Sequence, residues 1–515
     1  MRVRHIAAFL SAVLILGGLS AIPAEAGRSP VVARAASARG PSVSGALKSL
    51  QASGAITPAV YQQDYSAYVA AKHSLGKLSG TRRTELGAVL ANVQAIAAAG
   101  QFTASRLGAL FLTLERNRKW WTSEPLLLAD ERVSFPPSKI LWEYYPGQGI
   151  EIQWLATFGE ANGYYLSGHE NANLRQLLSE VIPLATQRAG GIAWEYMFHF
   201  DGGAPPWTSG LSQGTALQVL SRAWSRFKEP VYLTAAQQAL GIFQTRPPAG
   251  VLVNTAAGSL YAEYTYAPSD KILNGFIQSL VGLYEYTAIT KDPLGLKLFE
   301  AGDAEARAIT PAYDTGAWSM YDQFGESTLN YHELLTEFLQ HLCERTRKGP
   351  PIPAAVTPTP APAPTPAPGS TGATGSTGET GTNGAGGTSA SSTARAAAST
   401  PAAVPIPGDA IYCTTAQHFT ADLHTPPVIA LLTSTLRGGT HAGVQISLSK
   451  ISAVSITVRQ GGRVVWKNSA LLERGKPRIE WTTPAKGGSF SVTIGATDLA
   501  GNFVTANGTI LVKQH

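Results

Sequence analysis

The sequence predicts a mainly α chain that ends in a small all-β domain, and three observations carry that reading. Apolar residues recur at helical spacing almost throughout 55–348. A Pro/Gly/Ser/Thr-rich stretch follows over 349–410, holding 12 of the chain's 33 Pro and 10 of its 52 Gly. Beyond it, 411–515 carries short runs of alternating polarity bounded by turn residues. The helical part is expected as antiparallel helix pairs arranged in a ring, an (α/α)-type barrel or toroid, with a plain helical bundle as the alternative. The β part is expected as an immunoglobulin-like sandwich.

Taken in order, the elements justify that outline. The chain opens MRVRHIAAFLSAVLILGGLSAIPAEAG: Arg2 and Arg4 precede an apolar Ile6–Leu19, and Ala24-Glu25-Ala26 offers a cleavage site. This reads as a signal peptide over 1–26, cut near Ala26, because the apolar run is too short to span a bilayer. A secreted or cell-surface-associated protein follows from it. No later segment has the run of about 18 apolar residues a membrane helix needs. Residues 27–54, rich in Ala, Ser, Gly and Arg, are expected to be disordered. Asn92–Glu115 reads as two helices broken at Gly100. Leu211–Phe227, Lys271–Ile289 and His332–Thr346 each put Leu, Ile and aromatic residues on one face. Between the helices lie aromatic, Gly/Pro-rich loops such as FPPSKILWEYYPGQG, HFDGGAPPWTSG and YDTGAWSMYD, placed to line a cleft. The linker reads as a polyproline spacer followed by a flexible Gly/Ser/Thr tract. In the β part, Gly461-Gly462 between two alternating runs signals a hairpin.

The formal charge is +6, and +5 once Arg2, Arg4 and Glu25 leave with the leader. The excess is mild and holds no Lys/Arg block, which argues against nucleic acid and suits an acidic glycan. The two cysteines, Cys343 and Cys413, flank the linker, where an exported pair could form a disulfide. The histidines are scattered and no Cys pair has ligand spacing, so neither metal nor cofactor is suggested.

Several short motifs recur in a fixed order: Trp207, Ser209 and Gln213-Gly214 at a helix start; Glu263-Tyr264 on a loop; Leu273-Asn274-Gly275-Phe276 and Gly282-Leu283-Tyr284 in the next helix; Tyr313-Asp314-Thr315-Gly316; and Tyr331-His332. Together they resemble the C-terminal catalytic domain of D-glucuronyl C5-epimerases, over roughly Leu141–Glu344. The chain looks like an exported, bacterial-type member with an immunoglobulin-like domain added. It departs from the animal enzymes in continuing AWSMYDQFGE after Tyr-Asp-Thr-Gly, where they carry basic residues.

The resemblance implies inversion of D-glucuronate to L-iduronate at C5 in a heparosan-like polysaccharide, with no cofactor. Such chemistry needs a proton-transfer group on each face of C5 and donors aimed at the uronate oxygens. A phenol can donate when neutral, and a carboxyl shielded from water becomes a stronger base. Carried over from the family, Tyr331 and Glu263 are the expected proton-transfer groups. Tyr264 and Tyr313 would orient the uronate, and Asn274 would bind it. His332 could polarise its neighbour or simply cap a helix. Trp207, with Gln213 beside it, is read as part packing and part cleft wall, and Tyr144 and Tyr145 as a sugar-stacking surface. Asp314 and Asp322 read as turn residues, Tyr284 and Tyr321 as core, Tyr266 as either, and Arg222 as pairing with a helix neighbour. Two rivals stand beside this reading: a polysaccharide lyase or hydrolase on a helical toroid, and a glycan-binding protein without catalysis.

Overall fold

A computed structural model of the protein describes residues 40–352 and 410–514. The expected signal peptide, residues 27–39 and the linker over 353–409 lie outside the described residues. The stretches on either side of 353–407 form one compact unit.

The chain starts with four helices: α1 (Val43–Ala52), α2 (Pro58–Lys77), α3 (Gly80–Ala98) and α4 (Ala104–Ser123). Helix α1 lies inside the stretch expected to be disordered. Ser42 accepts from the Gly45 N–H to cap it, and Val43, Ala46 and Leu47 are buried on one face. The break at Gly100 separates α3 from α4, with the glycine at φ 69°. The stretch read as a loop, 135–149, instead carries β2 (Trp142–Tyr145), the middle strand of a three-stranded antiparallel sheet with β1 (Arg132–Val133) and β3 (Gly149–Ile152).

Then come α5 (Trp154–Ser167), α6 (Asn171–Val181), the hairpin of β4 (Thr186–Arg188) and β5 (Gly191–Ala193), α7 (Gly210–Phe227), α8 (Pro230–Ala239) and the short α9 (Gly241–Gln244). A second hairpin, β6 (Leu252–Asn254) and β7 (Ser259–Tyr261), leads to α10 (Leu273–Thr290), α11 (Pro293–Ile309) and α12 (Leu329–Thr346).

Helices α7 and α10 form the centre. Gly210 to Ala223 is buried on every side, as is Leu273 to Tyr284, the pattern of helices enclosed by other helices. They approach closely because both carry glycine at the crossing: a Cβ on Gly282 would lie 2.1 Å from the Gly214 carbonyl oxygen. Arg222 of α7 pairs with Glu285 of α10 at 2.5 Å, and Arg345 of α12 joins the same carboxylate at 2.7 Å. The helix-neighbour reading of Arg222 agrees with that contact.

Residues 410–422, at the head of the stretch expected to be all β, form α13 (Ala410–Asp422), which packs on α12. Cys343 of α12 and Cys413 of α13 are disulfide-bonded. The β-rich remainder has two sheets, one of β8 (Ile429–Leu431), β10 (His441–Leu448) and β13 (Arg478–Thr482), the other of β9 (Thr435–Arg437), β11 (Ser452–Gln460), β12 (Arg463–Leu472), β14 (Gly488–Asp498) and β15 (Phe503–Lys513). Alternate residues, among them Val454, Ile456, Val458, Val492 and Ile494, meet Trp481 and Phe490 in a separate apolar core. Gly461 and Gly462 make the turn between β11 and β12, with φ 55° and 81°. Arg474 pairs with Glu326 at 2.9 Å, which fastens this part to the segment before α12. Among the described residues, no helix is long and apolar enough to cross a membrane.

Candidate functional site

Two walls of different construction bring acidic and phenolic groups together. The first is the β2–β3 sheet. Side chains alternate across a strand, so Glu143 and Tyr145 share one face of β2, and Glu151 stands opposite Glu143 on β3. All three are buried. Burial pushes both carboxyls above the usual range, Glu151 far above it. Neither oxygen of Glu143 has a hydrogen-bond partner of ordinary geometry; Tyr145 lies beside it, and Arg132, opposite in register, is 3.5 Å away.

The second wall is built by α7, α12 and the loops before α10 and α12. The Gly210 N–H, at the start of α7, donates to the carbonyls of Ala262 and Glu263, each at 3.1 Å, and fixes the loop after β7. That loop carries Glu263, 4% exposed, with Oε2 unpartnered. Its carboxyl fits against α10 because residue 275 is glycine: an added Cβ would lie 2.0 Å from Oε2. Burial raises Glu263 to about 8, with a hydrogen bond from Tyr264 pulling the other way. A line of phenols leads away from it. Tyr264 contacts the Glu263 carboxyl, Tyr321 lies beside Tyr264, and Tyr331 lies beside Tyr321, the last two rings 4.7 Å apart. Burial and the Glu263 charge push all three phenols upward, so they are neutral donors in the resting protein.

Both walls act on common groups. Tyr331 and Tyr196 are each raised by burial and by the charges of both Glu143 and Glu263. Tyr145, Tyr196, Phe198, Trp207, Glu263 and Tyr264 line a narrow cleft with an accessible volume of about 10 Å³. Tyr196 stacks on Trp207 at 4.2 Å, and Tyr145 on Phe198 at 4.7 Å. A larger hollow, with an accessible volume of about 670 Å³, lies between α2 and α4. It offers Asp64, raised to about 7 by burial, but its lining is otherwise mostly apolar, and Glu115 and Arg118 there are bonded to each other. One isolated carboxyl makes no acid–base pair, so the chemistry favours the smaller cleft.

Of the residues singled out from sequence, the cleft gathers Glu263, Tyr264, Trp207 and Tyr145, and Tyr331 joins through Tyr321. The others are engaged elsewhere. Tyr313 donates to the Lys271 carbonyl, and the charges acting on it are those of Asp322 and Glu305 rather than Glu263. Tyr321, read as core, stands where Tyr313 was expected. Tyr144 faces away from Tyr145 across the strand, donating to Glu85 at 3.0 Å and packing edge-on to Trp121. Gln213 donates to the Trp194 carbonyl at 3.1 Å, and Asn274 Oδ1 accepts from the Gly275 N–H at 2.9 Å.

His332 is fully buried. Its ring stacks on Trp318 at 3.7 Å, Nδ1 accepts from the Ser319 N–H, and Nε2 bonds the Phe419 carbonyl. Burial lowers it to about 4, so it serves as a neutral joint between α12 and α13. Glu143 and Tyr196 escaped the sequence reading. Both stood in or near aromatic stretches whose Gly and Pro pointed to loops.

Residues 188–351 match the family described as D-glucuronyl C5-epimerase C-terminus. That segment belongs to the glucuronyl C5-epimerase family. A D-glucuronyl C5-epimerase of Caenorhabditis elegans is 32% identical over 131 residues, covering 23% of this chain and 21% of the relative. The chain thus spans about a fifth of that relative's length. The epimerase-family segment includes Tyr196, Glu263, Tyr264, Tyr321 and Tyr331; Glu143 and Tyr145 lie before it.

Proposed function

We propose that the protein is an exported epimerase that inverts C5 of D-glucuronate to give L-iduronate within a heparosan-like acidic polysaccharide. The reading includes a leader cut near Ala26, an (α/α)-type helical scaffold for the cleft and an immunoglobulin-like C-terminal domain for glycan or surface contact. The observation that carries it is the buried Glu263 carboxyl, titrating near 8 at one end of a line of neutral phenols. The epimerase-family segment supports the same class.

In this mechanism ionised Glu263 takes the C5 proton, and the electron pair moves into the uronate carboxylate to give an enediolate. Neutral phenols donate hydrogen bonds to its oxygens. Tyr331 then gives a proton to the opposite face of C5. The resulting phenolate is refilled along Tyr321 and Tyr264 from the carboxyl of Glu263, which restores the starting charges. The phenols are assigned as acids because burial and the Glu263 charge hold them neutral, so the base role falls to the carboxyl. Trp207 and Tyr145 supply ring faces for the sugar.

Incubation with heparosan in heavy water tests the reading. Deuterium at C5 with unchanged chain length supports it, and unsaturated ends would assign a lyase. Tight binding without exchange, unaffected by Glu263→Gln and Tyr331→Phe, would assign a glycan-binding protein.

A further inference from the structure

Away from the phenol cleft, the turn after Tyr313 meets α13 and the β-rich part at a cluster of charged side chains. His418 Nδ1 lies 2.6 Å from Asp314 Oδ2, and its Nε2 lies 3.8 Å from Asp422 Oδ1. One ligand atom from each residue falls within 4.8 Å of the other two. Asp422 is 3% exposed, and its Oδ2 has no hydrogen-bond partner. The nearby Lys450 ammonium does not supply one: it pairs with Asp498 at 2.8 Å and donates to the main-chain carbonyls of Asp422 and Thr425. Beside the imidazole, the carboxyl groups of Asp314, Asp422 and Asp498 outnumber the one ammonium of Lys450, an acidic excess that a divalent cation would offset.

We propose that Asp314, His418 and Asp422 form a site for a divalent cation of the zinc class. Two carboxylate oxygens and one imidazole nitrogen, with water in the remaining position, are a donor set that zinc accepts. The His418 side chain is 40% exposed, which leaves room for that water and for the imidazole to swing one nitrogen onto the metal. A protonated His418 would bridge the same carboxylates, but it leaves Asp422 Oδ2 without a donor. The metal would tie the turn beside Tyr313 to α13, as the disulfide ties α12 to α13. Spacing in the sequence gave no sign of it, since Asp314 and His418 lie 104 residues apart.

The test uses tag-free, disulfide-intact protein stripped with chelator and titrated with Zn²⁺ by calorimetry and with Co²⁺ by visible absorption. One equivalent per chain is expected, with a Co²⁺ spectrum that includes a nitrogen ligand. Asp422→Asn and His418→Gln should each weaken binding by about tenfold or more. His418→Gln, being partly exposed, should keep the parent melting temperature in chelator. Failure to bind at millimolar zinc, or equal binding by parent and His418→Gln, overturns the proposal and leaves a proton as the bridge.

Discussion

The two walls of the cleft differ in how their acidic groups are held. Glu263 sits on a loop pinned by main-chain bonds to the start of α7, in a space opened by a glycine, with a phenol at its carboxyl. Glu143 sits on a regular strand, opposite another buried glutamate and 3.5 Å from an arginine. Glu263 lies inside the epimerase-family segment and Glu143 outside it. The difference separates two jobs. In the proposed mechanism the loop carboxyl exchanges a proton, and the strand carboxyl adds to the field that raises Tyr331 and Tyr196.

The largest effect is expected at Glu263. Glu263→Gln should lower C5 exchange by about 10²–10⁴-fold, the range for a positioned acid–base group. In the parent, kcat/KM for exchange should rise as pH climbs through about 8, where the carboxyl ionises. Stability should run the other way. The folded state holds the Glu263 proton more tightly than the unfolded chain, so the preference for folding is full below the ordinary glutamate value near 4.5 and is lost as pH rises toward about 8. Denaturant unfolding across that window should show a slope that Glu263→Gln flattens. A pH–rate profile unchanged by the substitution would remove Glu263 from the base role.

Next comes the glycine that admits the carboxyl. Gly275→Ala places a methyl group 2.0 Å from Glu263 Oε2 in a buried site. The carboxylate must move, costing about 1–3 kcal/mol in stability. Exchange should fall as well, because Glu263 leaves its contact with Tyr264. No equivalent constraint surrounds Glu143. Glu143→Gln keeps the shape of the strand face while removing a charge that raises both Tyr331 and Tyr196. It should change exchange by about tenfold, roughly one pKa unit of interaction. Its pH profile should keep the rise near 8, which separates a field effect from loss of the base.

The sequence showed one wall better than the other for a physical reason. Glu263-Tyr264 and Tyr331 stand in ordered motifs, and the helices around them announce themselves through apolar faces at 3.6-residue spacing. Strand β2 is four residues long and buried on both faces, so Trp142-Glu143-Tyr144-Tyr145 shows no polar alternation. Tyr321 and Tyr313 are both tyrosines before aspartate, and nothing local distinguishes them. Only the packing of the 313–327 segment against α12 sends one hydroxyl to the Lys271 carbonyl and the other to Tyr331. The metal cluster and the His332 joint depend on α13, whose partners lie on the other side of the linker. Helix α1 was hidden by composition, since Ala, Ser and Gly outnumber the few apolar residues that bury it.

The smallest effect sharpens the comparison within a single strand. Tyr144 and Tyr145 are adjacent, yet the alternation of β2 sends them to opposite faces. Tyr145 lines the cleft, accepts from Gln153 at 3.0 Å and touches Glu143. Tyr144 donates to Glu85, a carboxylate that also receives the N–H groups of Gly147 and Gly149. Tyr144→Phe therefore removes one donor from a carboxylate that keeps two, which should cost about 1 kcal/mol in urea unfolding and leave C5 exchange unchanged. Tyr145→Phe should instead change the KM for the polysaccharide, because the hydroxyl it loses sits beside Glu143 in the cleft. If the two substitutions had the same effect on exchange, the strand would be acting through the stability of the whole sheet, and the division of the cleft into a reacting wall and a field-setting wall would fail.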